Sequence, residues 1–114
     1  MGTLKSLKLA SDANQKPVVG SVAGGGWVDC RVLAVNTAEL HTVPTGAKYV
    51  LISTTGNVYV NFGAAAAVSV ADVTDGSASV LVVNTVPRLF AINGAASIGV
   101  IAPAIQTVTL EFFK

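Results

Sequence analysis

Charge is scarce in this chain. Only 11% of its 114 residues are Asp, Glu, Lys or Arg, against about 25% in ordinary soluble domains. The formal net charge is +1, so no broad field surrounds the protein. A dedicated nucleic-acid binder, which gains much of its affinity by neutralising phosphates, is not expected. There is one cysteine, Cys30, and one histidine, His41. A single cysteine excludes an internal disulfide, and two soft ligands are too few for a His/Cys metal site. No window holds about 18 consecutive apolar residues free of breakers, so a membrane-spanning helix is not expected. The opening MGTLKSLKLASDANQKP carries Lys5, Lys8 and Lys16 without an apolar core, which argues against a secretory signal. Its first residues have the outline of a myristoylation signal, a pattern short enough to arise by chance. Aromatic residues, at 6%, are too few and scattered for a base-stacking platform.

What is abundant is valine, alanine, threonine and glycine. Hydrophobic residues make up 52% of the chain. Valine and threonine favour strands because a branched side chain fits a pleated surface, and the 11 glycines supply turns. The composition reads all-β. Residues 1–26 differ from the rest: they hold three of the seven basic residues and close on GSVAGGG. Three consecutive glycines are entropically unfavourable in any regular element. This segment reads as an N-terminal arm on a flexible joint, with a short strand around Val18 and Val19, and residues 27–114 read as the body.

Strand candidates follow at 27–35, 38–43, 48–54, 58–62, 79–83, 88–92, 97–101 and 107–113. Thr55-Gly56-Asn57 and Asp75-Gly76 stand as tight turns between them. Four alanines at 64–67 can start at most one helical turn. Two stretches echo each other. VPTGAKYVLISTTGNVYVNF (43–62) and INGAASIGVIAPAIQTVTLEF (92–112) both place a Gly-Ala turn before an alternating segment, a polar break and a second alternating segment. Aligning Gly46-Ala47 with Gly94-Ala95 matches Val50 with Ile98 and Ile52 with Val100. It also matches Val58, Val60 and Phe62 with Val108, Leu110 and Phe112. Upstream, with one gap allowed, Leu40 and Val43 match Leu89 and Ile92. Each copy therefore predicts three strands with one apolar face, and two such sheets can cover each other as a sandwich. The ten matched positions from Val50 to Phe62 and from Ile98 to Phe112 are the predicted core. The expected fold is one β-sandwich of about eight strands, jelly-roll-like, with an N-terminal arm.

The residues offer little chemistry. Alternation places Glu39 and His41 on one strand face, where an exposed histidine is expected and no partner motif is visible. Cys30, between Asp29 and Arg31, is expected to be a small buried hydrophobe. DVTDG (72–76) lacks the oxygen ligands and closing Glu of a calcium loop. It reads as a turn at Asp75-Gly76 with Asp72 capping the loop. AGGG lacks the Gly-Lys-Ser/Thr ending of a phosphate loop. No catalytic residue, cofactor or metal site is predicted. His41→Ala and Cys30→Ser are expected to spare any activity, with modest loss of stability at Cys30. A small domain with only 13 charged side chains must expose much uncharged surface, which points to an oligomer or a larger assembly.

VPTGAKYVLISTTGNVYVNFG, ADVTDGSASVLV and the Gly-Ala strand pair ending TVTLEFF together resemble small structural proteins of tailed bacteriophages. These are Val/Ala/Thr-rich β-sandwich proteins, several of which act as decoration or cement proteins on capsids, often as trimers. The resemblance covers residues 43–113, rests on style and turn motifs, and transfers no site residue. It implies a non-enzymatic virion protein, made in the host cytoplasm and placed on the capsid surface. Its partners would be the major capsid protein and further copies of itself, without nucleic acid or membrane. The arm would then lie across neighbouring subunits through Leu4, Leu7, Leu9, Val18 and Val19, and deleting residues 1–20 would leave the body's stability nearly unchanged. A tail- or head-fibre component or a carbohydrate- or receptor-binding module is the alternative, and would need a groove exposing Trp27 or Tyr59. A small hydrolase would need partners for His41.

Overall fold

A computed structural model describes residues 2–7, 9–11, 17–22 and 26–114, with the backbone alone described at 9–11 and 17–22. The strands are β1 (Leu9–Ser11), β2 (Pro17–Val22), β3 (Trp27–Leu33), β4 (Glu39–Thr42), β5 (Tyr49–Thr54), β6 (Val58–Phe62), β7 (Val80–Val82), β8 (Arg88–Ala91), β9 (Ser97–Ile101) and β10 (Gln106–Phe113). No helix forms among the described residues. Ala64–Ala67 make no helical turn and run irregularly after Gly63.

Eight strands build two four-stranded antiparallel sheets, β3-β10-β5-β8 and β4-β9-β6-β7, while β1 and β2 pair only with each other. Within the eight, the first strand pairs with the last, the second with the seventh, the third with the sixth and the fourth with the fifth. This is the double Greek key of a jelly roll. The apolar faces meet between the sheets. Val50, Ile52, Val58, Val60, Ile98, Val100, Val108, Leu110 and Phe112 are fully buried there. Phe62, the tenth predicted core position, is partly buried and packs at the margin.

The repeat is present, but it does not build one sheet per copy. Exchanging each strand for its counterpart (β4 for β8, β5 for β9, β6 for β10, β3 for β7) turns the order β3-β10-β5-β8 into β7-β6-β9-β4, which is the other sheet. Register follows the same exchange. Leu110 pairs with Ile52 and Phe112 with Val50 in one sheet, and Val60 with Val100 and Phe62 with Ile98 in the other. Leu51 faces Leu89 as Gly99 faces Leu40. Each copy thus sends its strands alternately to the two sheets, and the copies interlock about a pseudo-two-fold. The two Gly-Ala turns are arches that cross between sheets. Gly46 and Gly94 hold φ of 88° and 80°, the left-handed region that glycine enters without strain, and Ala47 N–H donates to Pro44 O as Ala95 N–H does to Ile92 O. Thr55-Gly56-Asn57 likewise joins β5 to β6 across the sandwich and closes no hairpin. Its position is fixed by Thr55 Oγ1, which donates to Gln106 Oε1 at 2.8 Å and accepts from Thr107 N–H at 2.9 Å.

The segment before β1 belongs to the body. Thr3 N–H donates to Gly26 O at 2.9 Å and Lys114 N–H to Lys5 O at 2.7 Å. Lys5 bridges Phe113 in parallel, and Leu4 packs against the core. These contacts of residues 3–7 count against the expectation that residues 1–20 can be removed without loss of stability. Deleting residues 1–7 should lower the unfolding free energy by about 2 kcal/mol, from one partly buried leucine and several backbone bonds. Replacing residues 9–22 by a Gly/Ser linker should leave the melting temperature close to that of the intact chain. Thermal denaturation of the two variants side by side checks this.

Candidate functional site

Strand parity decides the site. In β3, Trp27, Asp29, Arg31 and Leu33 face the sandwich interior, and Val28, Cys30 and Val32 face out. Parity allows one face or the other, and the large Trp27 and Leu33 win: Leu33 is fully buried and Trp27 packs against the core. The two charged residues between them turn inward at the lateral edge, where β3 of one sheet lies beside β4 of the other. Here Arg31 Nη1 donates to His41 Nδ1 at 2.9 Å, and Arg31 Nη2 donates to Glu39 Oε1 at 3.1 Å. Guanidinium is a donor only, so His41 Nδ1 is the acceptor, and the ring's Nε2–H donates to Asp29 Oδ2 at 2.7 Å. Trp27 Nε1 donates to the same oxygen at 3.2 Å. The imidazole stacks on Phe112, with centroids 5.9 Å apart and planes 10° apart.

Two expectations are corrected. His41 is not an exposed strand histidine: its side chain retains 12% exposure, because β3 stacks over β4 and brings Asp29 and Arg31 to both ring nitrogens. Cys30 is not a buried hydrophobe but exposed, because Trp27 and Leu33 claim the inner face. The partners of His41 escaped sequence reading because the contact spans ten to twelve residues between different sheets. The available signal was parity, since WVDCRVL cannot bury both its bulky ends and its valines.

With both ring nitrogens engaged, His41 has none left to take a proton from a nucleophile. The four side chains act as a polar seam closing one edge of the sandwich. The pseudo-equivalent edge, β7 with β8, is closed differently: Phe90 packs on Phe62 at 5.2 Å, Arg88 lies 4.9 Å over the Phe90 ring, and its Nη1 donates to Leu81 O. His41→Ala should therefore lower stability by about 1 to 2 kcal/mol, leaving Arg31 and Asp29 each short of a partner in a half-buried place. Urea denaturation reads this, and an unchanged midpoint would show the seam to be energetically idle.

The remaining predicted residues fall as follows. Among the described residues, no three His, Cys, Asp or Glu side chains cluster to hold a metal. In the 63–79 segment it is Asp75, not Asp72, that caps the loop: Asp75 Oδ1 accepts from Ser77 N–H and Oγ–H, and these bonds hold its carboxyl below the ordinary carboxylate range. Trp27 is committed to the core and to Asp29, and Tyr59 is half-buried on β6, so neither stands in an exposed groove. Leu4 is partly buried and packs on the chain's own core. Leu7 is half-buried beside Lys114, whose carbonyl accepts from its N–H. Leu9 lies in β1, and Val18 and Val19 lie in β2, where side chains are outside the described residues.

The outer surface is short of charge. On the outer face of the β3-β10-β5-β8 sheet, Val28, Glu111, Leu51 and Leu89 form one row across four strands. Among the described residues of these four strands, Glu111 is the only charged one on that face. Val28, Val32 and Leu89 are 57%, 68% and 46% exposed. On the other sheet the equivalent face is covered by the chain itself, since Gly99, the counterpart of Leu51, lies directly under the backbone of Ala64–Ala66. Comparison with family models, with curated proteins and with solved structures gave no match to this chain.

Proposed function

We propose that this chain is a non-enzymatic structural protein of a bacteriophage virion, a capsid decoration or cement protein that oligomerises and bridges capsid subunits. The observation that carries the reading is the outer face of the β3-β10-β5-β8 sheet. Its strands present Val28, Val32, Leu51 and Leu89 with one charged residue, Glu111, among those described, while the pseudo-equivalent face is covered by the chain's own 64–67 segment. A surface of this kind is more often an assembly contact than free solvent-facing sheet. Val35 and Ile105 add exposed apolar surface on loops at one end of the sandwich, tied together through the Val35–Ala102 bridge. The engaged state of His41 supports the non-enzymatic part.

Bridging would fall to the β1–β2 hairpin. In sequence the two strands fall between Leu7, whose N–H donates to Lys114 O, and Gly26, whose carbonyl accepts from Thr3 N–H. A two-stranded hairpin is marginal alone, and a partner surface would complete it. Leu9, Val18 and Val19 are the contacts proposed there, with the major capsid protein as partner. Quantitative mass spectrometry of purified virions tests the reading. A copy number comparable to that of the major capsid protein is expected. A handful of copies would move the protein to the tail or a fibre, and its absence from virions would overturn the proposal.

A further inference from the structure

Four strands lie at the edges of the two four-stranded sheets, and three of them are poor templates for another strand. β4 and β8 have four residues and β7 three, and β8 follows Pro87. β3 is different. It runs seven residues without proline or bulge, in unbroken register with β10 from Trp27–Phe112 to Leu33–Gln106. Neither β1 nor β2 pairs with it. An open trough of about 440 Å³ runs along it, lined by Asp29, Cys30, Arg31 and Val32 of β3 and by Glu39 and His41 of β4. A long, regular edge with apolar outward residues invites strand addition unless it is covered.

The sequence of the edge says what covers it. WVDCRVL is symmetric about Cys30 except in charge: reversed, apolar ends, valines and cysteine fall in the same places, while acid and base change places. We infer that β3 pairs antiparallel with β3 of a second copy about a two-fold through Cys30, joining two sheets into one of eight strands. In that register residue i faces residue 60 − i of the partner. Val28 then faces Val32 on the outer side, so the two exposed valines cover each other. On the inner side Asp29 faces Arg31, an opposite-charge cross-strand pair made twice. Arg31 has five donors and uses two nitrogens within its own chain, so it can serve the second carboxylate. A register shifted by two residues loses both Val–Val pairs and sets Asp29 or Arg31 against itself. An isologous contact of this kind closes at two copies, unlike the trimer that the resemblance implies. The inference names the self-contact of the oligomer proposed above and rests on that reading.

The test uses purified full-length protein. Light scattering should give twice the 11.5 kDa chain mass. Val28→Lys with Val32→Lys places four lysines in two facing pairs and should weaken self-association by about tenfold or more. Val28→Glu with Val32→Lys sets each Glu against a Lys and should restore it. Both positions are over half exposed in the monomer, and circular dichroism confirms that each variant folds. Residues directly opposed in an antiparallel pair have Cα atoms roughly 4.5 to 5.5 Å apart, within disulfide reach. An added copper–phenanthroline oxidant, taking two electrons and two protons from the facing thiols, should therefore give a Cys30-linked dimer in the parent and in the Glu/Lys variant but not in the Lys/Lys variant. A protein that is monomeric at all concentrations, or an oligomer indifferent to Lys/Lys, overturns the β3 contact. If either still decorates particles at high copy number, the assembly reading stands without it.

Discussion

Phe112→Ala is expected to lower the unfolding free energy by about 3 to 5 kcal/mol, the range for truncating a fully buried phenylalanine. Phe112 has no solvent exposure. It sits on the β10 strand between Val50 of β5 and Trp27 of β3, and its ring carries the His41 imidazole. Removing it opens a cavity in the core and takes away the surface that holds the polar seam in place. Its counterpart under the pseudo-two-fold is Phe62, which packs on Phe90 as Phe112 packs on His41. Phe62 remains partly exposed, so Phe62→Ala should cost about half as much. Urea denaturation of both variants measures the difference, with an unchanged slope showing that only stability moved. Equal losses would mean that the two ends of the repeat are equivalent in energy as well as in topology, and would count against the seam as a feature of the β3–β4 edge alone.

The pair also shows what a sequence of this kind reveals. Val50, Ile52, Val58, Val60 and their counterparts could be placed in the core from alternation, because period two fixes which face of a strand is apolar. Alternation does not say which strand lies beside which. The segments 48–54 and 58–62, separated by Thr55-Gly56-Asn57, fit a hairpin in one sheet and an arch between two sheets equally well, since both put the valines inward. The arch forms because β10 and β9 occupy the places that a hairpin would need, and that competition is between segments about fifty residues apart. The seam was hidden for the same reason. Asp29, Arg31, Glu39 and His41 are ordinary strand residues until β3 is laid over β4. Cys30, expected inside from its residue type, faces out because Trp27 and Leu33 take the inner face of the same strand. At a sandwich edge, side chains pointing inward still reach one another and water, which removes the usual penalty for that parity.

Gly99→Ala should destabilise the protein by about 1 to 3 kcal/mol, as overpacking does in a filled site. Gly99→Leu, which restores the residue type of its counterpart Leu51, should do more. A Cβ at Gly99 would strike the Ala64 carbonyl oxygen and come within 2.7 Å of the Ala66 nitrogen. Both are backbone atoms, so no side chain can swing aside. Gly99 lies mid-strand in β9 between Leu40 and Asn61, where glycine weakens a strand and signals close approach of another backbone. Relief can come only by lifting the 64–67 segment. That would also strain Gly63, whose φ of 83° turns the chain and whose N–H donates to Ser97 O at 2.8 Å. The variant should therefore lose midpoint in urea and gain protease cleavage within residues 64–79, with the sandwich strands themselves still protected. Lifting the segment would bare the outer face of the β4-β9-β6-β7 sheet, leaving it as open as its counterpart with Leu40 and Leu81 already part-exposed at its margins. A variant that self-associates more strongly than the parent would follow from that, and light scattering after the denaturation experiment reads it. A Gly99→Leu protein with parental stability and parental cleavage pattern would show that the 64–67 segment does not cover this face in solution, and the contrast between the two sheets would fall with it.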